Sequence, residues 1–306
     1  MKTRSLTTGV LALILSAGTT LAQSAPSTTS PTTTPPATPA TPAQPETKPV
    51  AGANLPSGKE ILAKYIEATG GRAAYEKIKT RVSEGTIEMK PMGLKGTLLM
   101  KQQAPGSMTL SLELPQVGNV VQGNNGTHAW ESNPMQGARL LDGKELEESN
   151  RQAMLAAELN PDLVYASINC VGIEKVGESE CYKVEAVTKG GSKRTSFYAK
   201  DTGLLVRLDM VMESPMGEVK ASSIMSDYRE ADGIKIPFVT TLSIDAGMKI
   251  EQVITITKVT HNTELPSDTF TPPKDVQELI DDKAKKPASP ETPATPTAPA
   301  TPGEKK

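Results

Sequence analysis

The feature that most constrains this chain is a period of two in its apolar residues, repeated over most of the span from about residue 81 to 260. Leu94, Leu98 and Met100 share one side of a run while Lys95, Thr97 and Lys101 take the other. Met108, Leu110, Leu112 and Leu114 alternate with Thr109, Ser111 and Glu113, and Leu204, Val206, Leu208, Met210 and Met212 alternate with Arg207 and Asp209. Ile236, Phe238, Leu242 and Ile244, followed by Ile250, Ile254 and Ile256, extend the series. Successive side chains of a strand point to opposite faces, so this pattern describes antiparallel strands with one apolar and one wet face. A run every ten or so residues predicts about ten strands in a meander that curls toward a barrel.

The turns agree with that reading. Pro91-Met92-Gly93, Pro134-Met135-Gln136-Gly137 and Pro215-Met216-Gly217 fall between apolar runs, where Pro sets φ and Gly relieves the backbone. A helix precedes the strands: Ser57 and Glu60 have the spacing of a capping box, Ile61, Leu62, Tyr65 and Ile66 lie on one helical face, and Gly70-Gly71 end it. A short helical piece over 72–78 follows. One helical interruption is expected at 142–160, with Asp142 as cap, Glu145 three residues on, and a thin apolar face of Leu146, Met154, Leu155 and Leu159. Such a helix suits either a lid over an open barrel end or a surface connector.

Both ends of the chain differ in kind. Residues 1–23 have the form of a secretory signal, with Lys2 and Arg4 ahead of an apolar run from Val10 to Leu15 and small residues at Ala17-Gly18 and Ala22. That run is too short to span a bilayer, and no other stretch approaches the required length, so no transmembrane helix is expected. Pro, Thr, Ala and Ser dominate 24–55, and Ala-Thr-Pro units recur toward 306; such segments bury too little apolar surface to order themselves. The expected organisation is a signal at 1–23, a tether at 24–55, one β domain at 56–280 and a disordered tail at 281–306. The expected location is the periplasm or another extracytoplasmic compartment.

A formal net charge of −2 and 3% aromatic residues give no basic face or stacking platform for nucleic acid. The sequence has no Gly-x-Ser-x-Gly, Ser-x-x-Lys, His-Glu-x-x-His or P-loop, and no cofactor is expected. His128 and His261 lack the neighbours of a metal site and are expected to face solvent. Carboxylate pairs that could act in hydrolysis emerge only in three dimensions. Cys170 and Cys181 are an even pair that could form a disulfide in an oxidising compartment, but a straight hairpin through 177–180 sets them about 20 Å apart, beyond bonding reach without a bend.

Four segments in order resemble envelope proteins related to the lipoprotein-sorting carriers, the LolA/LolB-like group. They are ILAKYIEATGGRAAYEKIKTRVSEG (61–85), GTHAWESNPMQGARLLDGKEL (126–146), FYAKDTGLLVRLDM (197–210) and DYREADGIKIPF (227–238). The resemblance implies an incompletely closed antiparallel barrel of 10–11 strands with a helical lid. It also implies an apolar inner side that holds the acyl chains of a lipid or lipoprotein. The residues then expected to line that side are Leu98, Met100, Met108, Leu110, Leu112, Leu208, Met210 and Phe238, with Met154 and Leu155 from the lid and Trp130 at the rim. The long Pro-Thr tether departs from the carriers, which leaves apolar-ligand binding intact and puts lipoprotein delivery in doubt. The alternative is a structural or sensory module that binds an envelope protein partner.

Overall fold

The computed structural model describes residues 55–285, apart from 215–216 and 246–248. The signal-like segment, the tether, the tail beyond 285 and the Pro215-Met216 turn lie outside the described residues. Helix α1 (Gly58–Ala68) begins with the expected capping box: Glu60 N–H donates to Ser57 Oγ and Ser57 N–H to Glu60 Oε2. Helix α2 (Arg72–Glu76) follows. Six strands come next: β1 (Thr80–Met89), β2 (Leu94–Gln103), β3 (Ser107–Leu114), β4 (Gly118–Asn124), β5 (Ala129–Asn133) and β6 (Gly137–Leu140). Helix α3 (Gly143–Ala153) and the short α4 (Pro161–Val164) interrupt them. The second series is β7 (Tyr165–Val176), β8 (Ser179–Thr188), β9 (Lys193–Ala199), β10 (Leu205–Ser214), β11 (Gly217–Ala231), β12 (Ile234–Asp245) and β13 (Lys249–His261). Helix α5 (Lys274–Lys285) closes the described chain and runs five residues past the expected start of the tail.

All thirteen strands join one antiparallel sheet in the order β6-β5-β4-β3-β2-β1-β13-β12-β11-β10-β9-β8-β7. Two meanders are welded where β1 pairs with β13, and β6 and β7 are the edge strands. Thirteen strands replace the ten or eleven expected because β4, β5 and β6 are short and carry polar residues inward. Gln122, Asn124, Glu131 and Arg139 fall on the same face as Leu110, so no apolar alternation announces them.

The sheet curls strongly, and α3 shows by how much. Glu145 of α3 pairs with Arg139 of β6, while Glu148, one turn on, pairs with Arg194 of β9. Those strands are ten places apart in the sheet, roughly 48 Å if it were flat. The whole of α3 is only about 16 Å long. The sheet therefore rolls until its two ends approach each other, and α3 occupies the gap. This is the incompletely closed barrel with helices on its inner face.

The buried apolar residues form separate clusters on that face. One joins Ile87, Met89, Leu98, Leu112, Leu114 and Val120. A second places Ile61 and Leu62 of α1 against Val184 and Tyr198, and a third joins Ile66, Tyr75, Ile78, Leu155, Leu159 and Ile234.

Candidate functional site

The inner face is best read as transverse rungs, because paired residues share a face. Gly85, Leu98, Leu112 and Val120 form one rung, and Ser83, Met100, Leu110 and Gln122 form the next. In the second meander Ile250, Ile244, Ala221, Met210 and Arg194 form a rung, beside Gln252, Leu242, Ser223, Leu208 and Ser196. Helices α1 and α3 pack chiefly on β7–β8 and on β3–β5. Across the middle, Met100, Leu110, Leu208, Met210, Leu242 and Ile254 point inward yet are only partly buried. Leu98, Met108, Leu112 and Phe238 are sealed, at 2–7% exposure. The inner face thus combines a closed core with a strip of apolar residues that stay partly exposed.

Helix α3 borders this strip with polar groups. Its buried residues are Glu145, Ser149 and Ala153, four apart and so on one face. Arg139 bridges Glu145 at 2.8 Å and the buried Glu131 at 3.0 Å. Glu148 lies between Arg151 at 2.6 Å and Arg194. Asn124 Nδ2 donates to Ser149 Oγ and Asn150 Oδ1, and Gln102 Nε2 donates to the Gln152 carbonyl at 2.9 Å. Burial opposes the charge of Glu148, but Arg151 and Arg194 outweigh it and bring its carboxyl down to about 2. Burial raises the Glu145 carboxyl, and Arg139 only partly offsets that. Asp142 caps α3 by position but its side chain makes no capping bond. The helix was expected to bury a thin apolar face; it buries a polar one, while Leu155 and Leu159 beyond its end supply the apolar contact.

The remaining expected residues are distributed as follows. Met154 is partly buried and lines a small cavity of about 170 Å³ between α3, α4 and the β8–β9 turn. Trp130 points to the outer face, because it pairs with Gly123 and Leu140 while its neighbours Ala129 and Glu131 point inward. It is buried there across Gly123, where any Cβ would stand 2.2 Å from the indole, and Ser132 on the same face donates to Asp275 of α5. Cys170 and Cys181 are free thiols. A bulge at Val171 turns Cys170 inward beside Val184, whereas Cys181 packs outside against Phe197 and Ala199, so the two cannot bond. His261 was expected in solvent but is buried at 8% exposure. Its Nδ1 faces Asp232 Oδ2 at 3.1 Å and Arg81 Nε donates to its Nε2, with burial and Arg81 lowering its pKa. Both ring nitrogens are thereby occupied. Among the described residues no three His, Cys, Asp or Glu side chains converge as metal ligands.

A groove of about 900 Å³ lies largely on the outer face, across β8 to β13. Its floor is a paired row of Glu185, Thr195, Asp209, Ser222, Ser243 and Glu251. Lys193, Lys220 and Lys249 flank that row and make no ion pair among the described residues. Of the residues expected at a ligand site, only Met210 reaches this groove.

The geometry defines a class: a curled, unclosed antiparallel sheet with helices laid on an apolar inner face. That fold recurs in solved proteins of the lipoprotein-sorting type. A LolA superfamily protein from Nitrosomonas europaea aligns with a TM-score of 0.51 at 13% identity, over 71% of this chain and 99% of its own. A Vibrio parahaemolyticus domain assigned to outer membrane lipoprotein sorting aligns with a TM-score of 0.50 at 10% identity, over 70% and 96%. Neither a family model nor a curated protein matches the sequence. At these identities the likeness is one of fold. Among the described residues no helix is long and apolar enough to cross a membrane.

Proposed function

We propose that this domain holds an acylated or otherwise apolar ligand on its inner face and works in the periplasm or an equivalent extracytoplasmic space. The observation that carries the reading is the partly exposed strip of Met100, Leu110, Leu208, Met210, Leu242 and Ile254. A face built only to be a core would seal these residues as it seals Leu112. Unbranched Met side chains at two of the six positions adapt to ligands of irregular shape. The polar seating of α3 suits a cover that must lift, since its contacts can be exchanged for water. The signal-like start and Pro-Thr tether support export and a spaced, mobile domain.

Paired truncations test the reading. Leu112→Ala should cost about 2–5 kcal/mol, as for any sealed core leucine. Leu208→Ala should cost less than Leu112→Ala, because part of the Leu208 surface is already exposed, and should weaken binding of a fluorescent fatty-acyl probe severalfold. Equal destabilisation by the two changes, with unaltered probe binding, would overturn it.

A second reading, a module that binds an envelope protein, draws on the outer groove and its three lysines, which make no ion pair among the described residues. Crosslinking from Lys193, Lys220 or Lys249 to one specific protein, together with a domain that ignores acyl probes, would favour it.

A further inference from the structure

Gln252 occupies a position where the surrounding residues are apolar. It points inward from β13, 1% exposed, with Met89 opposite in β1 and Leu242 opposite in β12. Ile250 and Ile254 flank it along the strand. Its Oε1 is sealed from solvent and has no hydrogen-bond partner among the described residues. A buried polar group left unbonded costs about 1–3 kcal/mol, so a leucine here would give a more stable sheet. A second polar group lies on the same rung. The rung Gln252–Leu242–Ser223–Leu208 carries the nearly buried Ser223 hydroxyl two strands away, roughly 10 Å across the sheet. The neighbouring rung Ile250–Ile244–Ala221–Met210 is apolar up to Arg194 of β9, which Glu148 holds at its far end.

We propose that the strip takes an N-acyl ligand, an acyl chain joined through a secondary amide, with the amide at the level of Gln252 and Ser223 and the chain lying on Leu208, Leu242 and Ile254. This rests on the reading of the strip as a ligand site. A trans secondary amide presents an N–H on one edge, which Gln252 Oε1 can accept, and a C=O on the opposite edge, which faces across the rung toward the Ser223 hydroxyl donor. The rotatable side chain lets the amide turn toward the open surface beside it without moving the strand. An ester of the same shape offers acceptors alone and leaves Oε1 unbonded. Sites with a buried polar group waiting for a partner reject analogues that lack it.

The test compares N-methyldodecanamide with methyl dodecanoate, two uncharged probes of one chain length, by calorimetry or by displacement of a fluorescent acyl probe from the mature full chain. The wild type should bind the amide about tenfold more tightly. Gln252→Leu should abolish that preference, keep ester binding within about twofold, and melt no lower than the wild type. Ser223→Ala should reduce the preference in part, and Gln252→Met serves if the leucine variant fails to fold. Equal binding of both probes by the wild type, or an amide preference that survives loss of Gln252, overturns the inference and leaves the proposed function standing. Failure of both probes to bind overturns both.

Discussion

Helices α1 and α3 are each eleven residues long and lie on the same face of the same sheet, yet opposite forces hold them. Helix α1 buries Ile61, Leu62 and Ile66 and has a complete capping box. Helix α3 buries Glu145 and Ser149, lacks a side-chain cap bond, and rests on Arg139, Arg194, Asn124 and Gln102. Apolar contacts are lost outright when a helix leaves, whereas ion pairs and hydrogen bonds are largely replaced by water. The comparison assigns α1 to the permanent core and α3 to the movable border of the apolar strip.

The largest expected effect is on the α1 side. Ile61→Ala should cost about 2–5 kcal/mol and shift the global denaturation midpoint. Glu148→Gln on α3 should cost less, about 1–3 kcal/mol, because detachment lets Arg151 and Arg194 hydrate. Its signature should be local: faster amide exchange over 143–153 with the sheet still protected. A global collapse equal to that of Ile61→Ala would break the comparison.

Acid should separate the helices next. The Glu148 carboxyl titrates near 2 in the folded protein, below its unfolded value of about 4.3. Its stabilisation is therefore complete above the unfolded value and is lost as pH falls toward 2. The groups around it, Arg151, Arg194 and Tyr165, keep their protonation over that range. Glu145, raised by burial, responds in the opposite sense and blunts the change. Exchange measured between pH 5 and 2 should show α3 released before α1; simultaneous release would contradict the assignment.

Capping offers a finer contrast. Ser57→Ala should cost about 1 kcal/mol through the lost bond to Glu60, while Asp142→Ala should fall within about 0.5 kcal/mol of neutral. The smallest effect concerns the thiols. Denaturation without reductant should expose two titratable thiols, from Cys170 beneath α1 and Cys181 on the outer face, and reductant should leave the melting temperature unchanged.

Sequence legibility followed the same division. The capping box, the apolar face of α1 and the strands with apolar alternation could be read directly, because burial alone dictates their pattern. Strands β4 to β6 and the seat of α3 could not, because their inward residues are polar: Asn124 meets Ser149 and Asn150 of α3, and Arg139 meets Glu131 and Glu145, only after the sheet has curled. Parity failed wherever a bulge intervenes. The extra residue at Val171 reversed Cys170, and irregularities at 84/85 and 205/207 shift the register again. The resemblance implied a rim position for Trp130; its partner Gly123, the space it fills, carries no signal in a single sequence. Gln252 was hidden for the opposite reason, as one polar residue inside an apolar run.

The most direct test of the central claim is native mass spectrometry of the mature protein released from the envelope without detergent. A bound mass matching an acylated molecule, lost on Leu208→Glu while the domain stays folded, is the predicted result. A clean unliganded mass that remains unchanged when acyl amides and lipids are added would contradict it.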